Sequence, residues 1–239
     1  MRILDASLTI HPVTEAFSFL HPIAILPGFH ASWIPRLPGV DVLGDREFAL
    51  RNLAPHHDRI IADEFPEVKT RHHAEQIHGN GVAVISATSP ENLVTHPGVD
   101  GLATDLPGQV LAIYVADCAA IYLADPATHS IALLHSGKKG TELNILAEGV
   151  GKMITNYGTN PADLTCIVSP CIRPPDYDID FAATIRKQAA HLGIRNFHDS
   201  CENTASDPTA HYSYRQEKGR TGRMLALLSI DDHSSRALP

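Results

Sequence analysis

The sequence has few cysteines, no long hydrophobic run and little positive charge. Its 239 residues include 4 cysteines and no CxxC pair, which excludes a disulfide framework and a zinc ribbon. No uninterrupted apolar run approaches the ~20 residues that a membrane-spanning helix requires, so no membrane partner is expected. With 19 Lys and Arg against 27 Asp and Glu, the chain lacks the basic face that nucleic-acid-binding proteins need.

The first 17 residues also lack the features of a secretory signal, namely a basic segment, an apolar stretch and a small-residue cleavage site. Together with the few cysteines, this predicts a reduced, cytoplasmic protein. Hydrophobic residues make up 44% of the sequence, as is normal for a globular protein, so most of the chain is expected to be ordered. Because no repeat or linker is visible, we expect one domain over residues 1–239.

Short apolar runs bounded by Asp, Pro and Gly predict buried strands in the middle of the chain. These runs lie in VLAIYVADCAAIYLAD, SIALLHSG and LTCIVSP. HAEQIHGNGVAVIS indicates a strand, a Gly-Asn-Gly turn and a second strand. Helices are expected over about 59–64, 141–157 and 181–192, and the rest of the first 60 residues is predicted as short strands and loops. The last apolar segment, MLALLSI, is compatible with a strand or a helix. The uneven alternation predicts an α/β (mixed α+β) fold.

Most of the 15 histidines carry no metal signal. The adjacent pairs His56-His57 and His72-His73 point in different directions on a strand, so both members rarely bind one ion. We interpret these pairs as solvated surface.

Three other positions stand out because each ends or interrupts a buried run: His78, Cys118 and His135. Taken singly, a buried cysteine is usually inert packing and a strand-end histidine is usually a satisfied polar group. If they converge, one thiolate and two imidazoles form a site with three protein ligands and one open position, as in catalytic zinc sites. Spacing alone leaves that convergence open.

Six blocks occur in order along the chain: QIHGNGV, DGLATDLPG, VADCAAIYLADP, LLHSGKKG, SPCIRPPDYDI and YSYRQEKGRTGRM. They resemble the successive signature blocks of the YfiH/laccase-domain family over residues 51–230. That family was formerly described as polyphenol oxidases or laccases. It is now regarded as purine nucleoside phosphorylases with adenosine deaminase activity, and it includes bacterial peptidoglycan editing factors. The resemblance implies central mixed β-sheets flanked by helices, with a Cys-His arrangement shared with some toxin deamidases.

The resemblance also implies a site and its ligands. The family's zinc ligands fall on His78, Cys118 and His135, so Zn²⁺ is the implied cofactor. The implied substrates are nucleosides such as adenosine, inosine and methylthioadenosine, together with phosphate, and a homo-oligomer is left open. Zinc in an open site of this kind lowers the pKa of a bound water towards ~7 or polarises a ligand oxygen.

Five further residues are candidates for the site. Asp117, beside the cysteine, is a candidate for orienting a ligand or acting as an acid, although it could equally cap a turn. Lys139 and Arg215 are candidates for holding phosphate, and plain solvated charge is the alternative reading. Gln76 lies two residues before the first histidine of the cluster and would face the same side of a strand, within reach of substrate. Asn52 is a candidate for a similar contact.

The sequence departs from the family pattern beside these candidates. Where the family has His-Ala-Gly-Trp-Arg-Gly, residues 135–140 read His-Ser-Gly-Lys-Lys-Gly. Lys139 keeps the positive charge but loses the bidentate fork of arginine. The family's Ser-Tyr-Arg-Arg becomes Ser-Tyr-Arg-Gln at residues 213–216, and its Cys-Cys-Tyr becomes Pro-Asp-Tyr at 175–177. These changes spare the zinc ligands and bear on substrate specificity.

Four other functions compete with the zinc phosphorylase. A multicopper oxidase needs about ten histidine ligands in HxH-type pairs, and the sequence has no HxH spacing. A metal-free cysteine hydrolase or deamidase would use Cys118 as nucleophile and His78 or His135 as base. A peptidoglycan-precursor editing hydrolase would use similar chemistry on another substrate. A non-catalytic interaction module would explain the departures from the motifs but not the retained Cys-His-His set.

Overall fold

The computed structural model describes residues 17–231, so the expectation of a missing secretory signal falls almost wholly outside it. In chain order the elements are α1 His21–Ala24, β1 Phe29–Ile34, α2 Arg46–Glu64, β2 Thr70–Ala74, β3 Val82–Ile85, β4 Leu93–His96, β5 Gly101–Thr104, β6 Gln109–Val115, β7 Ala119–Asp125, β8 Ser130–Ser136, α3 Lys138–Glu142, α4 Ile145–Tyr157, β9 Thr165–Val168, α5 Phe181–His191, β10 Asn196–Asp199 and β11 Met224–Ile230. No helix within this range combines the length and apolar character that a membrane crossing needs.

The strands form two mixed sheets. Sheet A has the order β1-β11-β6-β2-β4 and sheet B the order β10-β9-β7-β8-β5-β3. In sheet A the pairs β2–β6 and β2–β4 are parallel and the others antiparallel. In sheet B the pairs β3–β5 and β9–β10 are parallel, again with antiparallel neighbours. Two mixed sheets flanked by helices confirm the predicted fold class.

The sheets pack face to face because alternate residues of each strand point to opposite sides. Leu111 of β6 packs in one fully buried core with Tyr122 of β7 and Leu133 of β8. The other side of β6 presents Val110 to Ile61 of α2. The outer face of sheet B packs on α4 and α5 in the same way. The described elements therefore form the layers α2, sheet A, sheet B and α4 with α5.

Helix α2 is much longer than the sequence indicates, since it begins at residue 46 rather than near 59. Its N-cap is Asp45, whose carboxylate accepts the backbone N–H of Phe48 at 2.8 Å. Two residues make this helix difficult to predict from the sequence. Pro55, a residue that usually ends helices, lies in its interior, and His57 occupies a core-facing position. The prediction of short strands and loops was therefore wrong for residues 46–58, whereas β1 is a short strand of the kind expected.

Other element predictions are partly corrected. The HGNG segment does not close a hairpin, because β2 belongs to sheet A and β3 to sheet B. The helix expected over 141–157 is two helices, α3 and α4, separated at Asn144, whose left-handed backbone has φ 57°. The helix expected over 181–192 is α5, followed by Gly193 at φ +83°. The last apolar segment is the strand β11. The four cysteines are free.

Three of the four paired histidines are buried, so the solvated interpretation was wrong for them. His57 is fully buried, and His72 and His73 are buried on β2, whereas His56 is exposed. The His72 ring bonds Gln109 at 2.9 Å. Burial lowers the pKa of His57 to about 4, and no group within residues 17–231 is hydrogen-bonded to its ring. Such a histidine stays neutral and acts as core packing.

Candidate active site

His78, Cys118 and His135 lie together at one end of the two sheets. His78 is in the loop between β2 and β3, Cys118 directly precedes β7, and His135 is near the end of β8. One ligand atom from each side chain lies within 4.8 Å of the others. The imidazole rings meet edge to face with their centroids 4.9 Å apart. Within residues 17–231 no other group of three such side chains is this compact.

A buried carboxylate, Asp100, holds two of the three segments in place. It accepts the backbone N–H groups of residues 77–79 at 3.2, 2.9 and 2.7 Å. It also accepts Nδ1–H of His135 at 2.8 Å, which leaves Nε2 of that ring for Cys118. Burial alone would raise the pKa of Asp100, but these hydrogen bonds hold it below its ordinary value. Asp100 therefore fixes both the loop of His78 and the orientation of His135.

Cys118 and His135 form a charge pair. Burial favours the neutral thiol of Cys118, but the charge and hydrogen bond of His135, aided by His78, outweigh it and lower its pKa to about 6. Burial also opposes protonation of His135, yet the charge of Cys118 and the hydrogen bond to Asp100 raise its pKa to about 9. Near neutral pH the pair is therefore thiolate and imidazolium.

The sulfur of Cys118 occupies the space that a side chain at Gly137 would fill. A Cβ atom at residue 137 would meet Sγ of Cys118 at 2.6 Å and the ring of His78 at 3.6 Å. The backbone φ of Gly137 is −90°, which any residue adopts, so the requirement for glycine is one of space. The LLHSGKKG block thus supplies His135, a candidate ligand, and the space beside it for the sulfur of Cys118.

We expect Gly137→Ala to lower the metal bound per chain about tenfold, because the added methyl displaces the Cys118 sulfur or the backbone that carries it. Overpacking of this kind costs roughly 1–3 kcal/mol. Bound metal per chain and the midpoint of urea unfolding measure the effect. Gly151→Ala in α4 is the matched control, since a Cβ there meets nothing within 4 Å. Equal behaviour of the two variants would contradict this role of Gly137.

A cavity of about 700 Å³ opens beside the cluster. His78, Cys118 and His135 form part of its wall. Its cationic lining residues are Arg46, Lys138, Arg215, Lys218 and Arg223. Its aromatic lining residues are Tyr114, Tyr177, Phe181 and Tyr214. Among the lining residues Asp117 alone is acidic. A site with aromatic faces and a cationic excess suits a ligand that combines a flat ring with an anion.

Asp117 and Gln76 line the cavity, but their polar atoms already serve neighbouring segments. Gln76 does not lie on a strand as predicted, because β2 ends at residue 74 and the φ of Gln76 is 64°. The Asp117 carboxylate accepts the Thr204 hydroxyl and the backbone N–H of Arg215, both at 2.7 Å. The Gln76 amide donates to the carbonyl of Tyr114 at 2.6 Å and accepts its N–H at 3.0 Å. Both side chains thus shape the wall of the cavity.

Of the remaining candidates, only Arg215 reaches the cavity. Its guanidinium lies 5.6 Å from the ring centre of Tyr177. Asn52 lies on α2 and donates to the carbonyl of Asp41 at 2.8 Å, and it is not among the lining residues. Lys139 is not a lining residue either, whereas its neighbour Lys138 is. Helix α3 begins at residue 138, and successive helical side chains point about 100° apart.

Among the charged residues at the site, Asp100 and three cations, Arg46, Lys218 and Arg223, were not predicted, and Lys138 lines the cavity where Lys139 was predicted. For Asp100 a signal was present, because it opens the DGLATDLPG block directly before a buried strand. The three cations sit in or beside loops and carry no pattern that separates them from solvated charge.

Solved structures share this fold, and curated relatives share part of this sequence. The crystal structure of YlmD from Geobacillus stearothermophilus matches with a TM-score of 0.69, 24% identity and coverage of 87% of this chain and 93% of that chain. At the sequence level, the "Purine nucleoside phosphorylase YlmD" of that organism is 28% identical over 64% of this chain and 70% of its own. The "Purine nucleoside phosphorylase" of Deinococcus radiodurans is 30% identical over 79% of this chain and 81% of its own.

A family model described as "Multi-copper polyphenol oxidoreductase laccase" matches residues 54–181 and 175–231, which include all three residues of the cluster. The resemblance seen in the sequence blocks is thereby confirmed, and the chain belongs to this laccase-domain family, whose relatives compared above bear the name purine nucleoside phosphorylase.

Proposed function

We propose that this protein is a zinc-dependent purine nucleoside phosphorylase that also deaminates adenosine. The names of the relatives suggest the reaction class. The observation that carries it to this chain is the cluster of His78, Cys118 and His135, which opens on a cavity with aromatic and cationic walls. The proposed substrates of the protein are a nucleoside and phosphate. That the protein forms a homo-oligomer stays a prediction.

The residues present fit a zinc ion. A thiolate and two imidazoles are the donor types that zinc prefers, and three protein ligands leave one position open. The Asp100 carboxylate accepts Nδ1–H of His135. A carboxylate is the usual hydrogen-bond partner of the nitrogen that a metal-ligating histidine turns away from the metal. The low pKa of Cys118, about 6, supplies the thiolate that binding requires. His78, Cys118 and His135 would therefore hold the ion, which when bound supplies a Lewis acid facing the cavity.

In phosphorolysis a phosphate oxygen bonds to C1′ of the ribose while the bond from C1′ to the purine nitrogen breaks. The purine leaves with a proton, and ribose 1-phosphate forms. Binding and orientation are the main tasks of the protein in such a reaction. The aromatic lining offers stacking faces to the purine. Arg215 and Lys138, in place of Lys139, offer charge to the phosphate.

In deamination a water oxygen adds at C6 of adenosine and ammonia leaves, which gives inosine. A proton must pass from the water to the departing amine. Asp117 is our candidate for that transfer, because it is the acidic side chain in the cavity wall and two hydrogen bonds fix its carboxylate. Gln76 holds the adjacent wall through Tyr114.

The test is the turnover of adenosine and inosine by metal-replete protein with and without phosphate. We expect free base and ribose 1-phosphate only when phosphate is present, and inosine from adenosine without it. Chromatography of the bases and a coupled assay for ammonia separate the two reactions. No turnover of either nucleoside by folded protein with about one zinc per chain would refute the proposal.

A metal-free cysteine hydrolase is the second candidate, and one geometric observation favours it. A chain of hydrogen bonds links Cys118 to His135 and His135 to Asp100. Cysteine hydrolases use the same arrangement of nucleophile, base and orienting acid. Under this proposal the Cys118 sulfur attacks a carbonyl or amidine carbon directly. The Cys118 sulfur cannot bind a metal and attack a substrate at the same time. Whether a reagent can reach this sulfur in the purified protein therefore distinguishes the zinc enzyme from the metal-free hydrolase.

We expect chelator-treated protein to show alkylation of Cys118 by iodoacetamide that rises with pH through a midpoint of about 6. The thiolate is the reactive form, so the rate climbs as pH passes the lowered pKa and is level above it. Mass spectrometry of the labelled peptide measures the rate, and urea-unfolded protein, with a midpoint near ~8.5, is the control. Protein that keeps its metal should label far more slowly. Equal labelling before and after chelation would favour the hydrolase, and a midpoint near ~8.5 in the folded protein would contradict the charge pair.

A further inference from the structure

Tyr114, near the end of β6, lines the cavity with a ring that the protein itself holds in place. The imidazole of His57 on α2 is stacked on the phenol ring, with the ring centroids 5.7 Å apart and the planes inclined by 29°. The imidazole of His73 on β2 is also stacked on it, at 5.2 Å and 23°. Two buried histidines thus pack against one residue of the cavity wall.

Both imidazoles act on Tyr114 as neutral rings. Burial, aided by the charge of Arg71, lowers the pKa of His57 to about 4 and that of His73 to about 3. At neutral pH neither ring is charged, so each offers the phenol a flat, uncharged face. The Gln76 amide adds two hydrogen bonds to the backbone of Tyr114. The ring and the main chain of this tyrosine are therefore both fixed.

The hydroxyl of Tyr114, in contrast, is unused by the protein. The fully buried Tyr122 donates its hydroxyl to the carbonyl of Ser32 at 2.9 Å. The Tyr114 hydroxyl has no hydrogen-bond partner in the described part of the chain, yet it keeps accessible surface. Burial of the ring raises the pKa of Tyr114, and Arg46, another residue of the cavity wall, is among the charges that act on the phenol. The hydroxyl therefore stays protonated at neutral pH and is free to donate.

A fixed, accessible and unpartnered hydroxyl is suited to recognising a single group of a ligand. A site that hydrogen-bonds one polar group of its substrate rejects analogues without that group, because the protein is then left with an unpaired partner. We infer that Tyr114 is a specificity-determining residue whose hydroxyl donates to an oxygen of the nucleoside. The inference rests on the proposed function for the identity of the ligand. The oxygen is O6 of the base or a hydroxyl oxygen of the ribose.

The first test is binding of inosine to the metal-replete protein without phosphate, measured by calorimetry. Tyr114→Phe removes the hydroxyl and keeps the ring against His57 and His73. We expect the dissociation constant to rise about 3- to 10-fold, which is the effect of one lost neutral hydrogen bond. Because the hydroxyl has no partner in the described protein, zinc per chain and the midpoint of urea unfolding should stay as in wild type.

Tyr157→Phe is the matched control. The Tyr157 hydroxyl also lacks a hydrogen-bond partner within residues 17–231, but this tyrosine does not line the cavity. Its removal should leave the affinity for inosine unchanged.

The second test identifies the oxygen with 2′-, 3′- and 5′-deoxyinosine and with purine riboside, which lacks O6. The analogue without the bonded oxygen should bind to wild type about 3- to 10-fold more weakly than inosine, and it should bind equally to wild type and to Tyr114→Phe. If purine riboside behaves in this way, the hydroxyl donates to the base. If one of the deoxyinosines does, it donates to the ribose. Either result supports the inference.

The inference fails if wild type binds no inosine, or if Tyr114→Phe binds inosine as Tyr157→Phe does. It also fails if Tyr114→Phe weakens the binding of inosine and of all four analogues by the same factor. Binding is measured without turnover, so the two proposals fail separately. A protein that binds inosine through Tyr114 but cleaves no nucleoside would refute the proposed function and leave this inference standing. Normal turnover in a Tyr114→Phe protein that also binds as wild type does would refute the inference alone.

Discussion

Cys118→Ala is expected to release the bound metal and to lower nucleoside turnover on the order of 1,000-fold. The Cys118 thiolate is the anionic donor of the cluster, and alanine leaves His78 and His135 as two imidazoles with no third ligand. Elemental analysis of purified wild type and variant gives zinc per chain, and kcat/KM with inosine and phosphate gives the loss of activity.

Cys201→Ala is the control for that experiment, because Cys201 is an exposed free cysteine that does not line the cavity. It should keep both metal and activity. A Cys118→Ala protein that retains about one zinc per chain would show that the sulfur is not a ligand. Pure, folded wild type without metal would refute the zinc mechanism and favour Cys118 as a nucleophile. Copper in place of zinc would favour the oxidase that the absence of HxH pairs argues against.

Asp100→Asn should weaken zinc binding about 10- to 100-fold and lower the free energy of unfolding by about 2–4 kcal/mol. Asp100 accepts four hydrogen bonds, three from the backbone of residues 77–79 and one from His135. An asparagine amide turns one acceptor oxygen into a donor, which leaves buried N–H groups unpaired. Competition with a chelator measures the affinity, and urea unfolding of the metal-free protein measures the stability.

The matched control is Asp105→Asn, which removes one carboxylate just after the same strand, β5. Asp105 is exposed, so its loss should change neither quantity beyond ~0.5 kcal/mol. If Asp100→Asn matches this control in both measurements, Asp100 does not hold the loop and the histidine as described. A loss of stability with unchanged zinc affinity would show that it holds the loop alone.

The central strands of the two sheets could be predicted because the local sequence shows that they are buried. β6 to β9 are short apolar runs with turn residues at their ends, and all lie where expected. Helix α2 was predicted less well. Pro55 interrupts its helical pattern of apolar residues, and His57 is a polar residue, typical of the surface, in a core position. Which sheet a strand joins is a long-range choice, and the separation of β2 from β3 was missed for that reason.

The candidate site shows the same division. His78, Cys118 and His135 could be named as candidates because each lies beside a buried run in a characteristic block. Their meeting within 4.8 Å depends on packing between two sheets, which no local spacing encodes. The error of one residue between Lys138 and Lys139 has a smaller cause. The direction of a side chain at the start of a helix depends on the residue at which the helix begins.

The bonds between Gln76 and the backbone of Tyr114 have a consequence for how ligands bind. With φ at 64°, Gln76 turns the chain out of sheet A, yet its side-chain amide continues the pairing with β6 for one more rung. His78, two residues further on, is exposed but starts from this anchored point. A ligand at the cluster would therefore meet an imidazole whose backbone is already held in place. Little conformational entropy is lost on association, so more of the contact energy is left for affinity.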